Sequence, residues 1–366
     1  MDGNHLTTGA FDEFIRVHRH AGQQVLAQAL RDMIETSCPG TEPLIARIPD
    51  ARLLRPELFV HLRDPSEAPG SLAEILWALL PAEDRPPDPP EVDYEPNAVE
   101  VPGHPFELVT RPHPTIVSLL PEASSTDLDP RRFQAALQTA LDAIRRVDPT
   151  YYEELRVCVR TVCLFLHPTA NSFADMAGHG CIFINVRWPP SAAFFVEEVC
   201  HQGGHVVLRA ACLRRYDFLV DPLLPVAQLD AKPGDERILF SAFHGVYTEH
   251  MIARVLARLD DEGAGDLDPE EVFARLAQIH DKHRRDLELV RHPHPRGLTA
   301  RGRALVDYYA EQWRALGEAK PALDWARPFY GSYEFDYEGY RRQNPSRAEL
   351  IRAARRTPRE DALAHG

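Results

Sequence analysis

The feature that most constrains this chain is the apolar segment Phe194–Leu208, which carries His201 and His205 four residues apart. The segment predicts a buried helix, and residues at i and i+4 lie on one face of a helix about one turn apart. Both imidazoles can therefore reach one metal ion. The alternative is that the spacing arises by chance and that one histidine is a hydrogen-bonded core residue. The apolar flank favours a metal pair.

The second residue of this motif is Gln202, where an HExxH metalloprotease helix has glutamate. That glutamate is the general base that activates water, and an amide cannot take a proton at neutral pH. Glu197 and Glu198 lie one turn before the pair, where one of them is expected to orient an imidazole from behind. Gln202 and Glu198 are the catalytic candidates, and the hydrolytic base is missing from its usual place.

A third metal ligand is expected from the segment Arg237–His250. His244 is the first choice because it stands among apolar residues, and Glu249 is the alternative that completes a set of two histidines and one carboxylate. Arg237 lies seven residues before His244, which is two turns on a helix predicted over 236–259. We expect its guanidinium to grip the far carboxylate of a small diacid that chelates the metal.

Gly203 and Gly204 stand inside the predicted histidine helix, where each glycine costs about 1 kcal/mol relative to alanine. Such a pair predicts that a packed strand or a substrate approaches the helix closely. Asn171, Ser172 and His179 lie in a loop between two predicted strands, a usual place for site residues. Their alternative role is ordinary turn chemistry.

Composition and charge exclude several classes of protein. The 366 residues carry a net charge of -14, which argues against general binding of nucleic acid or of an anionic membrane surface. No apolar run approaches the roughly 18 residues of a membrane span, and the first residues do not resemble a secretory signal. The six cysteines form no paired CxxC spacing. A cytoplasmic protein with buried thiols is therefore expected.

Hydrophobic periodicity predicts a helix-rich α+β fold, with metal-binding helices packed beside a small sheet. The predicted helices are 9–36, 72–80, 131–147, 191–215, 236–259, 269–289 and 299–316, and Thr299 is expected to cap the last. The predicted strands are 157–166 and 181–186, of which the second is apolar enough to be central.

Three regions follow from the distribution of prolines. Residues 1–106 are predicted to be a helical region with a proline-rich connector over 81–106, and their position suggests a role in substrate recognition. Residues 107–320 are predicted to be the catalytic domain. Residues 321–366 are predicted to be a C-terminal extension that is partly disordered.

From the second strand onward, the chain resembles the bacterial HEXXH-motif peptide-modification proteins, which occur with ribosomally made peptide natural products. The resemblance covers roughly residues 155–316 and depends on the order and spacing of its pieces. These pieces are the strand Cys181–Val186, the histidine helix Phe195–Leu208, the loop Asp221-Pro222-Leu223, Arg237 before Phe243–Tyr247, and Leu298–Leu305. The departure from the family pattern is Gln202.

The resemblance implies an iron(II)- and 2-oxoglutarate-dependent hydroxylase that acts at a side-chain β-carbon. It implies that His201, His205 and His244 hold Fe(II) and that Arg237 holds the 2-oxoglutarate carboxylate. Such a site needs three ligands and open positions, but no base at Gln202. The expected substrate is a peptide or a carrier-bound amino acid in natural-product biosynthesis, with neither nucleic acid nor membrane as a partner. The alternatives are a zinc metallopeptidase-like hydrolase, with Glu197 or Glu198 as base, and a catalytically inactive binding protein of the same fold.

Overall fold

The computed structural model describes residues 6–37, 39–63, 72–80, 85, 97–187, 190–229, 235–329 and 335–356. The predicted fold class is confirmed, because the described residues are 65% helical and include a small four-stranded mixed sheet. None of the described helices is both long and apolar enough to cross a bilayer.

The elements before the histidine helix are mostly short. They are α1 (Thr8–Ser37), α2 (Glu42–Ile45), α3 (Asp50–Leu53), α4 (Pro56–Arg63), α5 (Leu72–Leu79), β1 (Asn97–Glu100), β2 (Glu107–Arg111), α6 (Pro114–Val117), α7 (Arg131–Val147), α8 (Pro149–Cys158), β3 (Thr161–Phe165) and β4 (Cys181–Asn185). The later elements are longer helices. They are α9 (Ala192–Ala211), α10 (Leu239–Glu262), α11 (Pro269–Val290), α12 (Ala300–Ala319), α13 (Tyr337–Gln343) and α14 (Arg347–Arg356).

The sheet has the strand order β1-β2-β3-β4, with β1 and β2 antiparallel and the other two pairings parallel. The expectation that 181–186 is a central strand is wrong, because β4 is the last strand in this order. Every residue of β4 is nevertheless buried. The outer edge of β4 is covered by Phe173, whose backbone exchanges two hydrogen bonds of 2.9 Å with Phe183. An apolar strand sequence thus indicates that both faces of the strand are buried. It does not show whether the strand is central or lies at an edge of the sheet.

Several boundaries differ from the prediction. Residues 157–158 are the last two of α8, whose start is capped by Asp148, which accepts a hydrogen bond from the backbone N–H of Tyr151 (3.1 Å). The strand β3 therefore begins later than expected. The predicted connector 81–106 contains the strand β1, and most of the remainder, 81–84 and 86–96, lies outside the described residues. Within the C-terminal extension, 335–356 form α13 and α14, whereas 357–366 lie outside the described residues. The three-region division stays a prediction.

The histidine helix α9 is enclosed by other helices, and its paired glycines make this possible. A Cβ on Gly203 would lie 2.4 Å from Leu155 Cδ2 of α8. A Cβ on Gly204 would lie 3.1 Å from both Thr248 Cγ2 of α10 and the Tyr151 hydroxyl of α8. The close approach predicted for these glycines is therefore real, but helices supply it in place of the expected strand or substrate.

Helix α1 packs against the C-terminal part of α9. Gly22 of α1 faces the carbonyl oxygen of Ala210, and a Cβ there would lie 1.8 Å from that oxygen. Arg19, one turn before Gly22, forms a buried ion pair with Glu154 of α8 at 2.6 Å. The N-terminal helix is thus fixed to the same core that holds the histidines.

Candidate metal centre

One stripe of α9 reaches solvent, and it contains the two motif histidines. The helix begins after Ser191, whose hydroxyl accepts a hydrogen bond from the backbone N–H of Phe194 (2.9 Å). From Phe195 to Cys212, every residue is buried except His201, His205 and Arg209. These positions are i, i+4 and i+8, so they form a single face of the helix. The sequence analysis identified the two histidines of this face and missed its arginine.

The structure brings His244 of α10 to His205. Their ring centroids are 5.7 Å apart with planes at 14°, and their Nδ1 atoms are 3.5 Å apart. Two nitrogen ligands of one tetrahedral metal lie about 3.3 Å apart when each metal–nitrogen bond is about 2.0 Å. The rings of His201 and His205 are 5.1 Å apart. His244 Nε2 is buried and has no hydrogen-bond partner among the described residues.

The three imidazoles form two close pairs that share His205. No group of three histidine, cysteine, aspartate or glutamate side chains suited to holding a metal ion exists among the residues that the structure describes. The chemistry of the donors nevertheless fits a metal. Burial lowers the pKa of His201 to about 3 and lowers the pKa of His205 and of His244 well below the ordinary value. All three are neutral at pH 7, which is the form that binds metals.

Glu249, the alternative third ligand, makes a different set of contacts. Its carboxylate is fully buried and pairs with the Lys282 ammonium and with His283 Nδ1 (3.4 Å), both on α11. Burial alone would raise the pKa of Glu249, but Lys282 and His283 outweigh it and lower the pKa to about 2. The geometry therefore favours His244 over Glu249 as the partner of His205.

Arg237 lies before α10, because that helix begins at Leu239 and not at 236 as expected. Its guanidinium donates to Asp235 (2.8 Å) and to both carboxylate oxygens of Asp286 (2.9 and 3.1 Å). The helical argument that placed Arg237 on the His244 face is therefore wrong. The guanidinium that was expected to bind a ligand carboxylate already donates to two carboxylates of the protein.

Gln202 connects His201 to Glu198. Its amide nitrogen lies 3.3 Å from Oε2 of Glu198 and 3.2 Å from Nδ1 of His201. In this orientation the amide donates to both groups, so the proton of a neutral His201 sits on Nε2. A half-turn of the amide presents its oxygen to Nδ1 and leaves Nε2 of His201 free to bind a metal. The same turn points the amide oxygen at Glu198, so the hydrogen bond from Gln202 to Glu198 is made only in the orientation that the structure shows.

Glu197 is held in an ion pair. Its carboxylate accepts a hydrogen bond of 2.6 Å from Arg275 of α11, which also pairs with Glu271 at 2.7 Å. All three side chains are buried. Glu197 is therefore poorly placed to activate water, either as a base or through a histidine.

A cleft of about 550 Å³, counting the space open to solvent, lies against one end of the histidine stripe. Its walls include His201, Gln202 and Lys282, together with Asn171 and Ser172 from the loop before β4. The loop candidates Asn171 and Ser172 are thus brought to the site. Lys282 was not identified from the sequence, since its position on α11 gives no local signal. His179, the third loop candidate, is buried instead against the ring of Phe59, at 5.3 Å between centroids.

A larger groove of about 1250 Å³ lies next to the cleft, and Phe335 lines both. Arg275, Phe194 and Tyr337 contribute to its walls. The neighbouring helix α13 belongs to the C-terminal extension, which therefore borders the candidate site.

Comparison with known proteins finds no match, either to a family model or to a curated protein.

Proposed function

We propose that this protein is a cytoplasmic non-haem Fe(II)- and 2-oxoglutarate-dependent oxygenase that hydroxylates an amino-acid side chain at its β-carbon. The observation that carries the proposal is the 3.5 Å between Nδ1 of His205 and Nδ1 of His244, in a helix pair that also presents His201. The resemblance to the HEXXH-motif peptide-modification proteins supports the same reaction. The substrate is a peptide or a carrier-bound amino acid.

In this proposal His205 and His244 hold the metal, and His201 completes the set after the Gln202 amide turns. Bound iron supplies the activation of O2, coupled to the oxidative decarboxylation of 2-oxoglutarate to succinate. The protein holds the imidazoles in their neutral form by burial, and the turned amide of Gln202 orients His201 by accepting a hydrogen bond from its Nδ1–H. These residues bind and orient, and none of them needs to transfer a proton.

Oxidation suits this site better than hydrolysis. A zinc hydrolase needs a carboxylate that accepts a proton from water. Glu197 is held by Arg275 at 2.6 Å, and Glu198 accepts a hydrogen bond from Gln202 at 3.3 Å. Gln202 itself cannot act as a base. An oxygenase lacks this requirement, so the glutamine in the motif is compatible with it.

The cleft and the adjacent groove support an extended substrate. One residue of a peptide fits the smaller cleft beside His201, while flanking residues follow the larger groove past Phe335. The groove carries both signs of charge, with Arg275 and Arg342 near Glu271 and Glu338. Such a surface suits a polar peptide better than a single small metabolite.

The test is anaerobic loading with Fe(II), followed by metal analysis and by measurement of succinate formed under O2 with 2-oxoglutarate. We expect about one iron per chain in the wild type and its loss in His205→Ala and His244→Ala. The matched control is His250→Gln, which removes another buried histidine of α10 that lies outside the stripe. Tightly bound zinc with peptidase activity would favour the hydrolase, and absence of any metal would overturn the site.

A further inference from the structure

Arg209 extends the histidine stripe by one more turn. It lies four residues after His205 and eight after His201, and these three are the partly exposed positions between Phe195 and the end of α9. One turn separates Arg209 from His205 by about 6 Å along the axis. A ligand bound at the histidines therefore meets this guanidinium next along the helix.

The guanidinium of Arg209 is incompletely partnered within the protein. Its Nη1 atom is shielded from solvent and has no hydrogen-bond partner in the described ranges. The charge of Asp175 acts on it, but burial dominates and lowers the pKa of Arg209 below its ordinary value. The Asp175 carboxylate accepts instead from the backbone N–H of Ala177 at 2.7 Å. A buried guanidinium donor without an acceptor is costly, since desolvating a charged group needs compensation.

Other buried polar atoms near Arg209 share this lack of partners. Neither ring nitrogen of His179 finds a partner among the described residues, although the side chain is 1% exposed. His244 Nε2 is unpartnered as well. The charge of Arg209 acts on both imidazoles, so the three groups lie near one another.

A second arginine lies near His244. Arg215 stacks on the ring of Phe240 at 4.9 Å, and that ring packs edge-on against His244 at 4.3 Å. The charge of Arg215 also lowers the pKa of His244. Two cations therefore border the histidines at the end remote from Glu198.

We propose that Arg209 is the cation of an anion subsite that binds a small carboxylate beside His205 and His244. This inference rests on the proposed function, which identifies the neighbouring metal as iron. It assigns to Arg209 the role that the sequence suggested for Arg237, whose guanidinium Asp235 and Asp286 already occupy. The carboxylate belongs either to a diacid cosubstrate or to the amino-acid substrate.

The experiment is calorimetric titration of 2-oxoglutarate, and separately of an acetylated dipeptide with a free carboxylate, into the full-length protein. Each titration uses the apoprotein and the anaerobic Fe(II)-loaded protein. We expect Arg209→Met to weaken carboxylate binding at least tenfold, as loss of a charge-assisted hydrogen bond implies. Arg209→Lys should recover part of the affinity, and Arg237→Lys should stay within about twofold of the wild type.

The two ligands distinguish the sources. Arg209-dependent binding of 2-oxoglutarate assigns the subsite to the cosubstrate, and Arg209-dependent binding of the dipeptide alone assigns it to the substrate. Unchanged affinity in Arg209→Met, a loss in Arg237→Lys instead, or no binding of either ligand overturns the inference. Metal content, measured separately, shows whether the proposed function has failed. If iron does not bind, the apoprotein titrations decide the subsite.

A measurement on the wild-type protein tests the same inference if Arg209→Met fails to fold. Phenylglyoxal modifies arginine side chains, and mass spectrometry locates each adduct. We expect 2-oxoglutarate or the dipeptide to protect Arg209 at least severalfold, while modification of Arg237 is unaffected. Equal modification of Arg209 with and without both ligands would contradict the subsite.

Discussion

The contact between α1 and α9 predicts that Gly22→Ala is strongly destabilising. The added Cβ would lie 1.8 Å from the carbonyl oxygen of Ala210, and real Cβ contacts are essentially never below 3.0 Å. The helices must therefore separate by at least about 1.2 Å, the difference between these distances. A gap of about 1 Å reduces the dispersion energy of each contact along the interface by up to half. Overpacking of this kind costs about 1–3 kcal/mol or more, against about 1 kcal/mol gained in helix propensity.

We expect Gly22→Ala to lower the free energy of unfolding by about 2 kcal/mol, measured by urea denaturation followed by circular dichroism. The matched control is Gly9→Ala in the same helix, where no atom lies within 4 Å of the added Cβ. This control should leave stability unchanged or raise it by up to about 1 kcal/mol. The packing argument is refuted if Gly22→Ala unfolds within about 0.5 kcal/mol of the wild type.

Three further predictions concern the site and its surroundings. Gln202→Ala should retain iron whereas His205→Ala should lose it, as measured by metal analysis, and loss in both would make Gln202 essential to metal binding. The pKa of Glu249 is about 2, below the ordinary value of 4.5. On the order of 3 kcal/mol of stability is therefore present above pH 4.5 and lost as the pH falls towards 2. Glu249→Gln should flatten this part of the stability curve, and an unchanged curve would contradict the assignment. Burial lowers the pKa of His179 to about 4, so stability should fall between pH 6.5 and 4. In thermal unfolding, His179→Asn should lose less stability than the wild type over this pH range. An equal dependence of the unfolding temperature on pH in the two proteins would disprove the prediction.

Seven of the fourteen α-helices in the described residues were predicted from the sequence, because each of these seven repeats its apolar residues with the helical period. The prediction of 131–147 matches α7, and the prediction of 269–289 differs from α11 by one residue. Thr299 caps α12 as expected, since its hydroxyl accepts from the backbone N–H of Gly302 at 3.2 Å. Capping and periodicity are local signals, so one sequence suffices for them.

Contacts between distant segments were not predictable in the same way. The Asp286 partner of Arg237 is 49 residues away, and Lys282 reaches the cleft from a different helix than the three candidate ligands His201, His205 and His244. The strand β1 has four residues, too few for a periodic pattern to emerge. Arg209 could have been found, because its spacing of four from His205 is visible in the sequence. Arginine is not a metal ligand, so the expectation of a metal site did not point to it.

The enclosure of α9 determines how strongly metal binding is coupled to folding. Gly203 and Gly204 let α8 and α10 touch the helix backbone, and Gly22 does the same for α1. The imidazoles are therefore oriented by apolar contacts that persist without a ligand. In small zinc domains the metal supplies most of the folding free energy, and chelators unfold them. Here a chelator should leave the helical circular dichroism intact, so the apoprotein can be prepared, stored and reloaded as a folded protein.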